Sequence, residues 1–426
     1  MGLTLLLVVF FVCVVAGVPV AFAMGIASLA AFVYEELPLL IAFQRIVSGV
    51  SVFSLLAIPF FIFAGELMLH GGIATRLVRF ATTLVGHVRG GLAAVNVLSS
   101  MLFGGISGSA VADISALGSL LIPVMKEKGY RGDYAVNVTV TSSIAGVIIP
   151  PSHNMIIYAV AAGGGLSISQ LFLAGVVPGI IMCVCLAVAA YLLAVRHNYP
   201  SEAFPGWKAV VVAAVAAVPG LITAVIIVGG VLSGVFTVTE SGAFGTIYAL
   251  ILIALVYRSL SFRDFVTAVT TSIRTTAMVM VLIGCASLFA YLLALYRVPE
   301  QITALTLSIS DNPIVILLLL NVALLVLGMI MDMAALILIC TPIFLPVATS
   351  IGMDPIQFGI MLLMNLGLGL CTPPVGTCLF VGCAIGKIPI EQAVKSIWPF
   401  YLAMFFALML VTFIPQVSLG LPALLQ

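Results

Sequence analysis

Charge is the scarcest commodity in this 426-residue sequence: 7% of residues are Asp, Glu, Lys or Arg, against 63% hydrophobic. Soluble domains carry about 25% charged residues, so a water-exposed surface of ordinary size is excluded. The first charge is Glu35. The charge-free stretch 313–331 is nearly long enough to cross roughly 30 Å of hydrocarbon at about 1.5 Å per residue. An integral membrane protein within a lipid bilayer is the expected class. A net charge of +1 offers no footprint for nucleic acid. No basic region precedes the first apolar run, which is therefore expected to be a retained membrane helix rather than a cleaved leader. The eight cysteines and four histidines form no zinc-like spacing, and core packing accounts for the cysteines. There is no phosphate-binding G-x-x-x-x-G-K-[ST] loop and no Ser/His/Asp or H-E-x-x-H array. Nucleotide-driven work and enzymatic catalysis by this chain are not expected.

What charge there is clusters. Lys and Arg gather at Arg76, Arg79 and Arg89; at Lys126, Lys128 and Arg131; at Arg196 and Lys208; at Arg258, Arg263 and Arg274; and at Lys387 and Lys395. By the positive-inside rule these mark cytoplasmic loops. The connections 163–170, near Gly229, and 299–312 are expected to face outward, with Arg45 and Arg297 as tolerated exceptions. Two stretches break the spanning pattern. Residues 93–103 run into Gly104-Gly105-Ile106-Ser107-Gly108-Ser109, and 110–123 lead back to a basic loop. Arms this short point to a re-entrant hairpin. A second hairpin is expected over 313–345, turning around Leu327 to Asp332.

An internal repeat connects the two. Asp113-Ile114-Ser115-Ala116-Leu117 aligns with Asp332-Met333-Ala334-Ala335-Leu336 at a shift of about 219, and Pro123 with Pro342. Pro150-Pro151 aligns with Pro373-Pro374 at a shift of about 223. The loop after the first hairpin is basic and its counterpart 348–354 is not; beyond the Pro-Pro pairs the bias reverses. Repeats with opposite charge bias are inverted in the membrane, an arrangement common in secondary transporters.

The polar residues at these breaks carry the chemistry. Proline removes a backbone donor and clashes with the preceding turn, so a helix opens at each pair. Freed carbonyls are tolerated at membrane depth only where they line a cavity or meet protein partners. Carbonyls beside Ser and Thr hydroxyls would suit a hard cation such as Na⁺. Helix halves starting after Pro151 and Pro374 would direct positive ends at a carboxylate. Simple kinks are the plainer reading. The candidate substrate contacts are Ser109, Asp113, Ser152, Asn154, Asp332 and Thr377. Asp113 and Asp332 are alternatively cation or proton carriers, or caps of the returning helices. His153 is equally a local hydrogen-bonding residue, and Glu66 and Glu240 read as structural.

Phe103-Gly104-Gly105-Ile106-Ser107-Gly108-Ser109-Ala110-Val111-Ala112-Asp113 and Ile149-Pro150-Pro151-Ser152 resemble the large membrane subunit of tripartite ATP-independent periplasmic (TRAP) transporters. So do Gly328-Met329-Ile330-Met331-Asp332 and Cys371-Thr372-Pro373-Pro374. The resemblance implies an all-α elevator within the ion transporter superfamily, in a bacterial inner membrane. It also implies Na⁺ coupling, a small four-helix membrane subunit and a periplasmic substrate-binding protein. The family's first Na⁺ site falls on Gly104, Ser107, Gly146, Ile149 and Pro150. The second falls around Gly328, Gly369, Thr372 and Pro373, though the second hairpin lacks the Gly/Ser-rich tip of the first. Substrates would be organic acid anions: C4-dicarboxylates, sialic acid, sugar acids or keto acids.

The expected organisation is therefore scaffold and arm helices over 1–92, one transport-domain half over 93–170, central scaffold and arm helices over 171–312, the second half over 313–390, and a C-terminal membrane helix over 391–426. Na⁺ symport of a carboxylate delivered by a binding protein is the leading reading. A stand-alone carboxylate transporter of the same superfamily, an ion channel and a membrane-embedded hydrolase are its rivals, and H⁺ coupling is the alternative to Na⁺.

Overall fold

The computed structural model describes residues 1–425, the side chain of Ile106 left aside. It is built from helices, with no strand among the described residues. Among the described residues, six helices are long and apolar enough to cross a bilayer, or up to nine when each bent pair is taken as one crossing. In hydrocarbon every backbone polar group must be satisfied within the segment, which is why helices dominate.

The helices sort into two packed groups. One contains Gly2–Val15, Val20–Tyr34, Leu39–Val50, Ala57–His70, Trp207–Leu232, Val238–Ile251 and Phe262–Leu295. The other contains two helical hairpins, two broken helices, the long helix Ile168–Arg196 and the C-terminal helices. Ile73–Val85 and Val298–Ile309 lead from the first group into the two hairpins. Ile168–Arg196 packs on the hairpin arm Gly91–Ser107 and on Trp398–Phe413. It thus sits with the hairpins, although its residues fall in the stretch read from sequence as central scaffold.

Four segments differ from the sequence expectation. The N-terminal apolar run is two helices of 14 and 15 residues packed on each other. Gly17, at φ 82°, and Pro19 turn the chain between them. The hairpin arms are longer than expected: Gly91–Ser107 has 17 residues and the return runs over 110–127, with a π-helical stretch at Ile114–Gly118. At about 1.5 Å per residue the leading arm is roughly 26 Å long. In the second hairpin, Pro313–Gly328 has 16 residues. Its return, Met333–Ser350, has 18 residues and is long enough to cross. The C-terminal region is not one helix: Trp398–Phe413 bends by 62° into Pro415–Leu424. Pro415, which has no N–H to give, opens the new helix.

Several basic loops converge. Lys126 Nζ donates to the Gly386 carbonyl at 3.1 Å, and Lys128 pairs with Glu202 at 2.9 Å. Gly90 N–H donates to Pro200, and Asn137 to the Ala393 carbonyl at 2.9 Å. The loops carrying Arg89, Lys126–Arg131, Arg196 and Lys387–Lys395 therefore share one end of the molecule.

Candidate functional site

Each broken helix opens at its Pro-Pro pair, and each opening meets the tip of a hairpin. In the first, the helix ends at Ile148 and resumes at His153, bent by 54°. In the second, Pro355–Leu370 is followed by a turn and then Thr377–Gly386. Both Pro-Pro bonds are cis. A helical amide at position 150 would bond the Gly146 carbonyl, and one at 373 the Gly369 carbonyl; proline supplies neither. Gly146 and Gly369 thus stand at equivalent positions, four residues before a missing donor.

Two glycine contacts bring tip and break together. A Cβ built on Gly104 would lie 2.5 Å from Gly146 Cα, and one on Gly369 would lie 2.6 Å from the Gly328 carbonyl carbon. Only glycine lets backbones approach this closely. Ser107 Oγ stands 3.6 Å from the Cβ position of Gly146, and the Pro150 carbonyl 3.1 Å from that of Gly105. Gly104, Ser107, Gly146, Ile149 and Pro150 are therefore one cluster. Gly328 and Gly369 form the second, next to Thr372 and Pro373. Thr372 Oγ donates to the Leu368 carbonyl at 2.8 Å within its own helix, and Val375 N–H donates to the Met329 carbonyl at 3.0 Å, tying the second tip to its break. Tyr401 Oη donates to the Cys371 carbonyl at 2.6 Å.

Each cluster rests on a buried polar bridge about one helical turn away. Asn96 Nδ2 donates to Thr139 Oγ at 2.6 Å, Ser142 donates to Asn96 Oδ1 at 3.2 Å, and Ser100 meets Ser142 at 3.1 Å. In the second half, Asn365 Nδ2 donates to the Asn321 carbonyl and to its Oδ1, both at 2.9 Å. Ser142 and Asn365 each lie four residues before the glycine of their broken helix. The halves also interlock: His153–Ala161 packs on Met333–Ser350, and Thr377–Gly386 on the return of the first hairpin.

The six candidate substrate contacts do not form one set. Ser109 caps the returning arm, with Ala112 N–H donating to its Oγ at 3.5 Å. Asn154 Nδ2 reaches the Gly108 carbonyl at 3.5 Å, joining break and tip. Ser152 is fully buried, and neither its hydroxyl nor that of Thr377 has a hydrogen-bond partner among the described residues. Asp113 is 1% exposed, and neither carboxylate oxygen meets hydrogen-bond geometry with a partner among the described residues. It is not a helix cap. Asp332 is one, accepting from Ala334 N–H at 3.1 Å. It lines a separate, mainly apolar crevice with Pro19–Phe22 and the middle of Phe262–Leu295.

A cavity of about 480 Å³ lies where the two helix groups meet at the first tip. Ser107, Ser109, Ser115 and His153 line it from the hairpin group; Glu66, Leu69 and Thr275 line it from the other. No Lys or Arg is among its lining residues. Glu66, read from sequence as structural, faces this cavity, with His70 at 3.8 Å. Ser115 and Thr275 were not anticipated. Their signal is tertiary: nothing in sequence puts residue 275 against residue 109. Glu240, by contrast, is structural, forming a capping box with Thr237.

Residues 7–417 match the family model of the tripartite ATP-independent periplasmic transporter, DctM component. The chain belongs to this family. Among curated relatives, the sialic acid TRAP transporter large permease protein SiaM of Vibrio cholerae is 38% identical, over 96% of both chains. The C4-dicarboxylate protein DctM of Rhodobacter capsulatus is 35% identical over 96% of both. The 2,3-diketo-L-gulonate protein YiaN of Escherichia coli K12 is 37% identical over 94% of both. Among solved structures, the YdaH transporter of Alcanivorax borkumensis shares the fold at TM-score 0.66 and 13% identity, over 89% of this chain and 88% of that one. This TRAP large permease is thus a multi-pass membrane protein and a transport component, not an enzyme.

Proposed function

We propose that this permease imports a carboxylate-bearing organic acid by Na⁺ symport, with a periplasmic binding protein delivering the solute and a small four-helix membrane subunit completing the assembly. The observation that carries the reading is the pair of glycine contacts, Gly104 with Gly146 and Gly328 with Gly369, each at a helix opened by two prolines. Gly104, Ser107, Gly146, Ile149 and Pro150 would supply oxygens to one Na⁺, and Gly328, Gly369, Thr372 and Pro373 to a second. Backbone carbonyls and hydroxyls fit a hard monovalent cation. The substrate would occupy the cavity between the helix groups. With no cationic side chain in its lining, the carboxylate would meet the hydroxyls of Ser107, Ser109 and Ser115 and the helix starting at His153.

The division into two groups supports an elevator mechanism. The hairpins, the broken helices and the Ile168–Arg196 helix would slide as one elevator body against the group containing Ala57–His70 and Phe262–Leu295. The repeats would be inverted about the membrane plane, as the opposed loop charges suggest. Relatives named for sialic acid, C4-dicarboxylates and 2,3-diketo-L-gulonate support the substrate class. The test is uptake of radiolabelled organic acids into proteoliposomes holding both membrane subunits and the binding protein. Uptake should require an inward Na⁺ gradient and the binding protein. Uptake at the same rate without Na⁺ and with an imposed H⁺ gradient would overturn Na⁺ coupling. Full activity without the binding protein would favour a stand-alone carrier.

A further inference from the structure

A second cavity, of about 260 Å³, opens among the converging basic loops. Arg131, Asp133, Tyr134, Arg196, His197 and Lys395 line it, drawn from three separate segments of the chain. Its charges do not cancel. Asp133 is almost fully buried and is taken by Arg131, which holds it with Nε at 3.1 Å and with a second nitrogen at 2.7 Å. Arg196 and Lys395 have no carboxylate within 4.0 Å among the described residues. Two cations thus face one cleft unneutralised. The helix Gly132–Ser142 also starts here; its N-cap residue Arg131 makes no side-chain cap bond, and the acid in its first turn, Asp133, is the one Arg131 holds, which leaves N–H groups directed at the cleft.

We propose that this cleft binds the phosphate of an anionic membrane lipid. Phosphate chemistry follows from the two unpaired cations beside free helix amides. The lipid source follows from what adjoins the cleft. Leu193 and Pro399 form part of its lining. The two helices that carry them, Ile168–Arg196 and Trp398–Phe413, pack together. Both present apolar side chains outward along their length: Val188 and Leu192 on one, Leu402 and Phe406 on the other, each more than half exposed. Such a surface takes acyl chains, while the basic cleft takes the head group. Trp398, 62% exposed beside the cleft, has the amphipathic ring that settles at head-group depth.

The test is native mass spectrometry of the purified permease titrated with phosphatidylglycerol or phosphatidylcholine of identical acyl chains. The wild type should retain phosphatidylglycerol preferentially. At about fivefold per basic residue, the Arg196→Gln/Lys395→Gln double variant should bind it roughly 25-fold more weakly. Both side chains are exposed, and an unchanged melting temperature verifies the fold. Arg263→Gln/Arg274→Gln removes two charges elsewhere and should leave the preference intact. Equal retention of the two lipids, an unaffected Arg196/Lys395 variant, or an equal loss in the control would overturn the proposal. So would displacement of the lipid by inorganic phosphate at similar concentration, which would make the ligand a soluble anion.

Discussion

Gly104→Ala would place a methyl carbon 2.5 Å from Gly146 Cα and 2.7 Å from its nitrogen. Ordinary contact needs about 3.5–4.0 Å, so tip and break must separate by roughly 1 Å. Both neighbours are backbone, and no side chain can swing away to relieve the clash. Overpacking of this kind costs about 1–3 kcal/mol. That lowers the melting temperature without unfolding a membrane protein of this size. The effect on transport should be larger, because a site loosened by about 1 Å loses its preorganised geometry. The Na⁺ concentration for half-maximal uptake in proteoliposomes should rise on the order of tenfold, with uptake at subsaturating Na⁺ falling accordingly. Gly229→Ala, with nothing within 4 Å of its Cβ position, should behave as wild type. Unchanged Na⁺ activation in Gly104→Ala would refute the idea that this contact shapes the cation site.

Three further outcomes follow. Asp332→Ala removes an N-cap and should cost about 1 kcal/mol, while Asp332→Asn, which also caps, should retain stability and uptake; thermal melting and uptake separate a cap from a charge carrier. Glu66→Gln changes a cavity-lining acid on the Ala57–His70 helix, so the KM for substrate should shift severalfold with the melting temperature nearly constant. Asn365→Ala breaks two 2.9 Å bonds to Asn321 and leaves buried acceptors unpaired, for a stability loss of about 1–3 kcal/mol and weakened Na⁺ activation.

Much of this site was legible because its signals are local and rare. Two Pro-Pro pairs in apolar sequence dictate two broken helices wherever the chain folds. The Asp113/Asp332 and Pro123/Pro342 matches pair the hairpins without any structure. The carbonyl cluster at Gly104 and Gly146 was reached through family resemblance, and the structure brings those residues together. Other features depend on tertiary meeting. Glu66 lines the cavity because its helix packs beside the first tip. The two aspartates look equivalent in the repeat but differ in surroundings: Asp332 caps a helix, whereas Ser109 has taken that role near Asp113. The N-terminal apolar run reads as one crossing by composition, yet Gly17 and Pro19 fold it into two helices. The 171 boundary divides by sequence what packing joins, since Ile168–Arg196 lies against the hairpins.

The most direct test is equilibrium binding of ²²Na⁺ to the purified permease, in wild type, Gly104→Ala and Gly369→Ala. The wild type should bind Na⁺ saturably, each variant should bind it on the order of tenfold more weakly, and Gly229→Ala should match the wild type. Absence of saturable binding in the wild type, or wild-type binding in both variants, would contradict cation capture at the opened helices.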